Sequence, residues 1–237
     1  MNPLRAHLLL VIATAILAAT GCDPATPSEP EVTTPPAPAS SSASTTEAPI
    51  PSRAEDVQPL KPGVAAPSAA LRRPDGTTVE MRELYAQKPS ILIFYRGGWC
   101  PYCNTHLGQI AEAESELRDL GYQILAISPD RPEELKKSID KQNLAYQLLS
   151  DSDVDLAKTF GLAFRVDDAT IDRYRQYKID LTAASGRDHH ILPVPAVYII
   201  DQKGTIRFAH SNPDYKSRLE PDKLLAAAKE ALDERRS

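Results

Sequence analysis

A chain of 237 residues with a formal net charge of −5 has room for one domain with extensions or for two small ones, and its mild acidity offers no basic face to nucleic acid. Eleven of the 21 prolines fall between Pro24 and Pro67 among Ser, Thr and Ala, with almost no large apolar residues to offset the entropy of ordering. That tract excludes a second packed domain and leaves residues 61–237 for a single core of common size.

The chain opens with Arg5 and His7, continues through the apolar run "LLLVIATAILAA", and reaches Cys22 through small residues. A dozen apolar residues are too few for a mature transmembrane helix, so residues 1–22 read as a secretory signal. The ending "LAATGC" resembles the lipobox of bacterial lipoproteins, with Ala19 where leucine is commonest. That resemblance implies lipidation of Cys22 and a place in the bacterial cell envelope, lipid-anchored to a membrane with the domain facing the periplasm or exterior. Residues 23–60 are then a disordered tether, whose flexible span is about 35 Å.

From Ala70 the apolar pattern changes. "ALRRPDGTTVEM" has two short extended runs around Pro74-Asp75-Gly76 and predicts a hairpin. "SILIFY" is a continuous apolar run suited to a strand buried on both faces. Leu107, Ile110, Ala113, Leu117 and Leu120 then recur at helical spacing up to Gly121. "YQILAIS" is a second central strand, and "RPEELKKSIDKQ" has a proline and two glutamates at a helix start. "QLLSD" predicts a short strand and "DLAKTFGL" a short helix. Asp168 to about Tyr177 predicts a polar helix, followed by a loop up to Pro193. "PAVYIID" and "TIRFAH" flank "QKG" as an antiparallel hairpin, and "PDKLLAAAKEALDERR" closes the chain as a helix. The order implies an α/β fold, a mixed central sheet with helices on both faces and an N-terminal hairpin extension.

The stretch "FYRGGWCPYCN" holds Cys100 and Cys103. In an exported chain with Cys22 acylated, these two thiols can pair only with each other or with a partner. Cys100 follows a buried strand and precedes a helix opening with Pro101, so its sulfur meets free N–H groups that stabilise a thiolate. Cys103 lies one turn on, on the same face. Cys100 is therefore expected to attack and Cys103 to resolve. A purely structural disulfide would constrain little, because the loop is so short. Zinc needs four ligands, and beyond the cysteine pair there are only His106 and the distant His189 and His190, so no metal is expected. Haem attachment would need histidine where Asn104 stands; no cofactor is expected. "LPVPAVYIID" places Pro195 before a strand, where a cis proline would expose backbone beside the sulfur.

The motifs "FYRGGWCPYC", "AISPD", "LLSDSDVDLAKTFGL", "LPVPAVYIID" and "KGTIRF" resemble the peroxiredoxin-like branch of the alkyl hydroperoxide reductase and thiol-specific antioxidant (AhpC/TSA) family, within the thioredoxin fold. The resemblance covers about residues 60 to 230. It implies a peroxidase acting on hydrogen peroxide or organic hydroperoxides. Cys100 would become a sulfenic acid, Cys103 would condense with it to a Cys100–Cys103 disulfide, and a thioredoxin-type donor would restore both. This sequence departs from the family at two places. Gly97 stands where typical members carry threonine, and Pro195 stands where they carry arginine, as in thioredoxin-like reductases. Arg96 then becomes either the candidate positive charge at the site or a solvated loop residue, and the backbone N–H groups of Gly97 and Gly98 become candidate donors to a peroxide. Two other readings follow from the same residues: a thiol-disulfide oxidoreductase of the envelope acting on disulfide substrates, and a copper-binding assembly factor. Trp99 is expected to pack around the cysteines, and the tyrosines of "DRYRQY" to cover the domain and narrow access to the site.

Overall fold

The computed structural model describes residues 49–234. The signal, the lipobox with Cys22, most of the tether and residues 235–237 lie outside the described residues. No helix among the described residues is long and apolar enough to cross a membrane.

In chain order the elements are β1 (Ala70–Arg72), β2 (Thr78–Glu80), α1 (Met81–Gln87), β3 (Ser90–Phe94), α2 (Pro101–Asp119), β4 (Gln123–Ser128), α3 (Pro132–Gln142) and β5 (Gln147–Ser150). There follow α4 (Asp155–Thr159), β6 (Ala163–Arg165), α5 (Asp168–Gln176), α6 (Leu181–Ser185), β7 (Ile191–Pro193), β8 (Ala196–Ile200), β9 (Ile206–Ser211) and α7 (Pro221–Asp233). The main sheet runs β2-β1-β5-β4-β3-β8-β9. Its centre is parallel, β3 with β4 and β4 with β5, while β8 and β9 add antiparallel strands.

The central strands are apolar on both faces because each face is covered. Leu92 and Phe94 of β3 enter one cluster with Met81 and Leu84 of α1 and Leu156 of α4. Ile91 and Ile93 enter the other, with Leu107 and Ile110 of α2, Leu135 of α3 and Leu224 of α7. This two-sided burial explains why the β3 sequence does not alternate. At the sheet edge, Leu71 faces Val79 across the predicted hairpin. Asp75 closes its turn by accepting from the Thr77 backbone N–H at 2.9 Å and hydroxyl at 2.6 Å.

Two expectations are corrected, and one helix is added. The segment after Tyr177 is not simply a loop: it contains α6, capped by Asp180 accepting from the Ala183 N–H, and β7, which pairs antiparallel with β6. Helix α1 was not anticipated, although Met81, Leu84 and Tyr85 are buried at helical spacing. Residues 50–60, assigned to the tether, are packed on the domain. Val57 is buried in the core around α1 and α4. The Leu60 N–H donates to the Phe160 carbonyl at 3.1 Å, and the Arg165 N–H to that of Pro51 at 2.8 Å. A few apolar residues spaced among prolines suffice here because the body already supplies the apolar surface.

Candidate active site

Strand β3 ends at Phe94, and Tyr95 to Trp99 carry the chain over the sheet end into α2. Cys100 is the N-cap residue of α2, with Pro101 first in the helix. The turn is tied by the Cys100 N–H donating to the Gly97 carbonyl at 3.1 Å. Gly97 has φ +145, and a Cβ there would stand 2.3 Å from Trp99 Nε1. A Cβ on Gly98 would stand 2.0 Å from Ser138 Oγ on α3. Gly97 is favoured by its backbone conformation as well as by this approach, and Gly98 by the approach of the Ser138 hydroxyl.

Cys100 and Cys103 are free thiols, 1% and 0% exposed. They share one negative charge unequally. The Cys103 thiol donates to Cys100 and, with the Cys103 backbone N–H and the charges of Arg96 and Arg218, lowers the Cys100 thiol to about 6 against the opposing effect of burial. Burial, and then the hydrogen bond to and repulsion by Cys100, push Cys103 well above its ordinary value. The two shifts run in opposite directions, so Cys100 is the thiol of the pair that gives up its proton more readily.

Arg96 is 4% exposed, not a solvated loop residue. Its Nη2 donates to the Tyr174 hydroxyl, and its guanidinium carbon lies 4.2 Å from the Tyr215 ring centre and 5.2 Å from that of Trp99. Its Nε has no hydrogen-bond partner among the described residues. Arg96, Tyr174, Pro195 and Tyr215 line a cleft of about 270 Å³ together with Ser52 to Glu55. Trp99 packs on Tyr174 with ring centres 5.6 Å apart. Tyr174 of "DRYRQY" therefore stands over the site, whereas Tyr177 is exposed.

Pro195 lies at this cleft, but its peptide bond is trans; no cis bond occurs among the described residues. The backbone is tied on both sides of the proline. The Val194 N–H donates to the Leu162 carbonyl at 2.9 Å beside β6, and the Asn212 N–H donates to the Pro195 carbonyl at 3.3 Å beside β9. The segment links β7 of the small sheet to β8 of the main sheet through Val194 and Pro195, and the trans isomer carries it.

The Gly98 N–H is already used, donating to Asp130 Oδ2 at 2.7 Å, so it is not a free donor for peroxide. Asp130, from the "AISPD" motif, is the residue that sequence reasoning passed over. Burial pushes its carboxyl up to about 7, against the lowering effect of the Gly98 and Ser128 hydrogen bonds, and the Cys100 charge adds to the rise. Arg218 was also missed; its Nη2 lies 3.6 Å from Cys103 Sγ. Nothing local marks it, since it reaches the site from 115 residues away.

The histidines have other partners. His106 Nε2 is 3.1 Å from the Leu219 carbonyl, and burial lowers its ring to about 4. His189 donates through Nε2 to the Ser152 carbonyl and accepts the Ile191 N–H at Nδ1. His190 meets the Thr182 hydroxyl. Among the described residues no three His, Cys, Asp or Glu side chains gather as a group that could hold a metal ion.

Two buried free cysteines at a strand-to-helix turn, on a mixed sheet covered on both faces, fit a thiol-based oxidoreductase of the thioredoxin fold. The chain belongs to the AhpC/TSA family, whose sequence profile matches residues 62–209, and it is an oxidoreductase of the peroxidase type. Peroxiredoxin Bcp of Escherichia coli (strain K12) is 32% identical over 106 residues, which cover 45% of this chain and 67% of that protein. Reduced Prx3 from Vibrio vulnificus superposes with a TM-score of 0.59 at 20% identity, over 72% of this chain and 99% of that one. Peroxidoxin BcpB from Mycobacterium tuberculosis gives 0.56 at 20% identity, over 72% and 97%. These two structures speak for the fold alone.

Proposed function

We propose that this enzyme reduces hydrogen peroxide or organic hydroperoxides through a Cys100–Cys103 couple, recycled by a thioredoxin-type donor, while lipid-anchored through Cys22 to an envelope membrane. The observation that carries the reading is the pairing of a Cys100 thiol that titrates near 6 with a protonated Cys103. At pH 7 about nine-tenths of such a thiol is thiolate, the form that attacks a peroxide. The Cys100 sulfur takes one peroxide oxygen, the O–O bond breaks, and the other oxygen leaves as alkoxide or hydroxide and is protonated. Arg96, buried beside the turn with an Nε unpartnered among the described residues, supports that departing charge in place of the family's threonine and arginine. Cys103 then displaces the sulfenic oxygen as water, and a dithiol donor returns the disulfide to two thiols.

The test is peroxide consumption by the reduced protein beside Cys100→Ser and Cys103→Ser, with thiol state followed by mass. Rapid sulfenic acid formation on Cys100 in Cys103→Ser is expected. If peroxide leaves Cys100 untouched while a disulfide-bonded protein is reduced quickly, the reading is wrong. That outcome would favour the envelope thiol-disulfide oxidoreductase. The second reading is supported by Gly97 and Pro195, where the peroxide-orienting side chains are missing, and by the commitment of the Gly98 N–H to Asp130.

A further inference from the structure

Arg218 sits in the loop between β9 and α7, and its Nη2 meets Cys103 Sγ at 3.6 Å, a length suited to an N–H···S contact. Cys103 is otherwise sealed in the core. The groups that face it are Cys100 at the same helix end, the Arg96 backbone N–H, and Tyr95 just after β3. His106 of α2 and His210 of β9 line a small pocket with Arg218. Of these neighbours, Arg218 brings a side-chain positive charge directly onto the Cys103 sulfur.

The two halves of the reaction ask opposite things of Cys103. In the reduced enzyme it must keep its proton, because its thiol donates to the Cys100 thiolate. After Cys100 has become a neutral sulfenic acid that negative charge is gone, and Cys103 must lose its proton to attack. We propose that Arg218 is a catalytic residue of this second step, its guanidinium holding the Cys103 sulfur as a thiolate while it attacks the sulfenic sulfur of Cys100. The S–S bond forms and the S–O bond breaks. The proton given up by Cys103 leaves with the hydroxide as water. Cys103 is oxidised and Cys100 reduced to the common disulfide level, so no outside oxidant or reductant is needed. The inference rests on the peroxidase reading, and its test is arranged to separate the two.

Arg218→Gln and Arg218→Lys, each in the full chain, are mixed rapidly with hydrogen peroxide. Sulfenic acid is trapped with dimedone, and disulfide is counted by mass. Because the Arg218 charge also reaches Cys100, its oxidation should slow at most about threefold. Disulfide formation in Arg218→Gln should slow on the order of tenfold, with its pH profile moved to higher pH, and Arg218→Lys should recover most of the rate. A merely structural role would lower thermal stability in both variants and leave the pH profile in place. An unchanged rate and profile in Arg218→Gln overturn the proposal. A second arm does not use peroxide. Cys100 is loaded as a mixed disulfide with 5-thio-2-nitrobenzoate, and attack by Cys103 releases the coloured thiolate. If wild type forms no sulfenic acid, the peroxidase reading fails alone. Slowed release in Arg218→Gln then upholds the role of Arg218, and unchanged release removes it.

Discussion

The reactivity of Cys100 depends first on a neighbouring proton. Donation from the Cys103 thiol is the largest influence lowering Cys100, ahead of Arg96 and Arg218. Cys103→Ala should therefore move the midpoint of Cys100 alkylation by iodoacetamide from near 6 up toward the ordinary thiol value. Cys103→Ser keeps a donor and should leave the midpoint low; equal midpoints in the two variants would show that the charges dominate. Asp130 makes a second prediction at this scale. Its folded-state carboxyl is raised from 3.8 to about 7 by burial, so the folded protein takes up a proton that the unfolded chain does not hold between those values. The stability this contributes is fully present below 3.8 and is lost as pH rises through about 7. The whole effect is on the order of 4 kcal/mol. Thermal melts from pH 4 to 8 should fall more steeply for wild type than for Asp130→Asn, whose amide oxygen can still accept from Gly98. Parallel curves would show that Asp130 does not titrate in this window.

At the scale of elements, the β3–α2 turn is seated against α3 so closely that Gly98 has no room for a side chain. Its Cβ would be 2.0 Å from Ser138 Oγ but 3.4 Å from Ser138 Cβ. Gly98→Ala should cost about 1–3 kcal/mol through overpacking. Combined with Ser138→Ala, which removes the obstructing oxygen, it should recover most of that loss. Urea unfolding of the four proteins in the cycle measures this coupling, and simple additivity would mean the turn relaxes elsewhere. The glycine pair was visible in "RGGWCPYC", but its reason was not, because Ser138 lies forty residues on and belongs to another element. Long apolar runs such as β3 and β4 were legible because burial on both faces leaves a continuous signature. Helix α6 and strands β6 and β7 were not: each spans only three to five residues, too short for a period to appear, and tertiary pairing holds them.

Across the whole molecule, the legible part of the site is what the chain keeps together, and the hidden part is what the fold assembles. Cys100, Cys103 and Arg96 stand in one motif. Tyr174, Pro195, Tyr215 and Arg218 reach it from later elements, and Ser52 to Glu55 reach it from the segment that composition marks as tether. Proline-rich composition describes how little a segment can bury by itself, not what it can cover on a body already folded. Residues 50–60 bury Val57 and pair two backbone groups with Phe160 and Arg165. Burial of one valine and two such hydrogen bonds contribute roughly 2–5 kcal/mol together before the entropy of ordering the segment is subtracted. A protein beginning at residue 49 should therefore unfold at higher urea than one beginning at residue 61, with a larger slope because more surface is exposed on unfolding. The shorter protein also lacks part of the wall of the cleft beside Arg96. Its oxidation of Cys100 by a bulky hydroperoxide should change relative to hydrogen peroxide, which is small enough not to need that wall. Equal midpoints and an unchanged ratio of the two rates would return residues 50–60 to the tether.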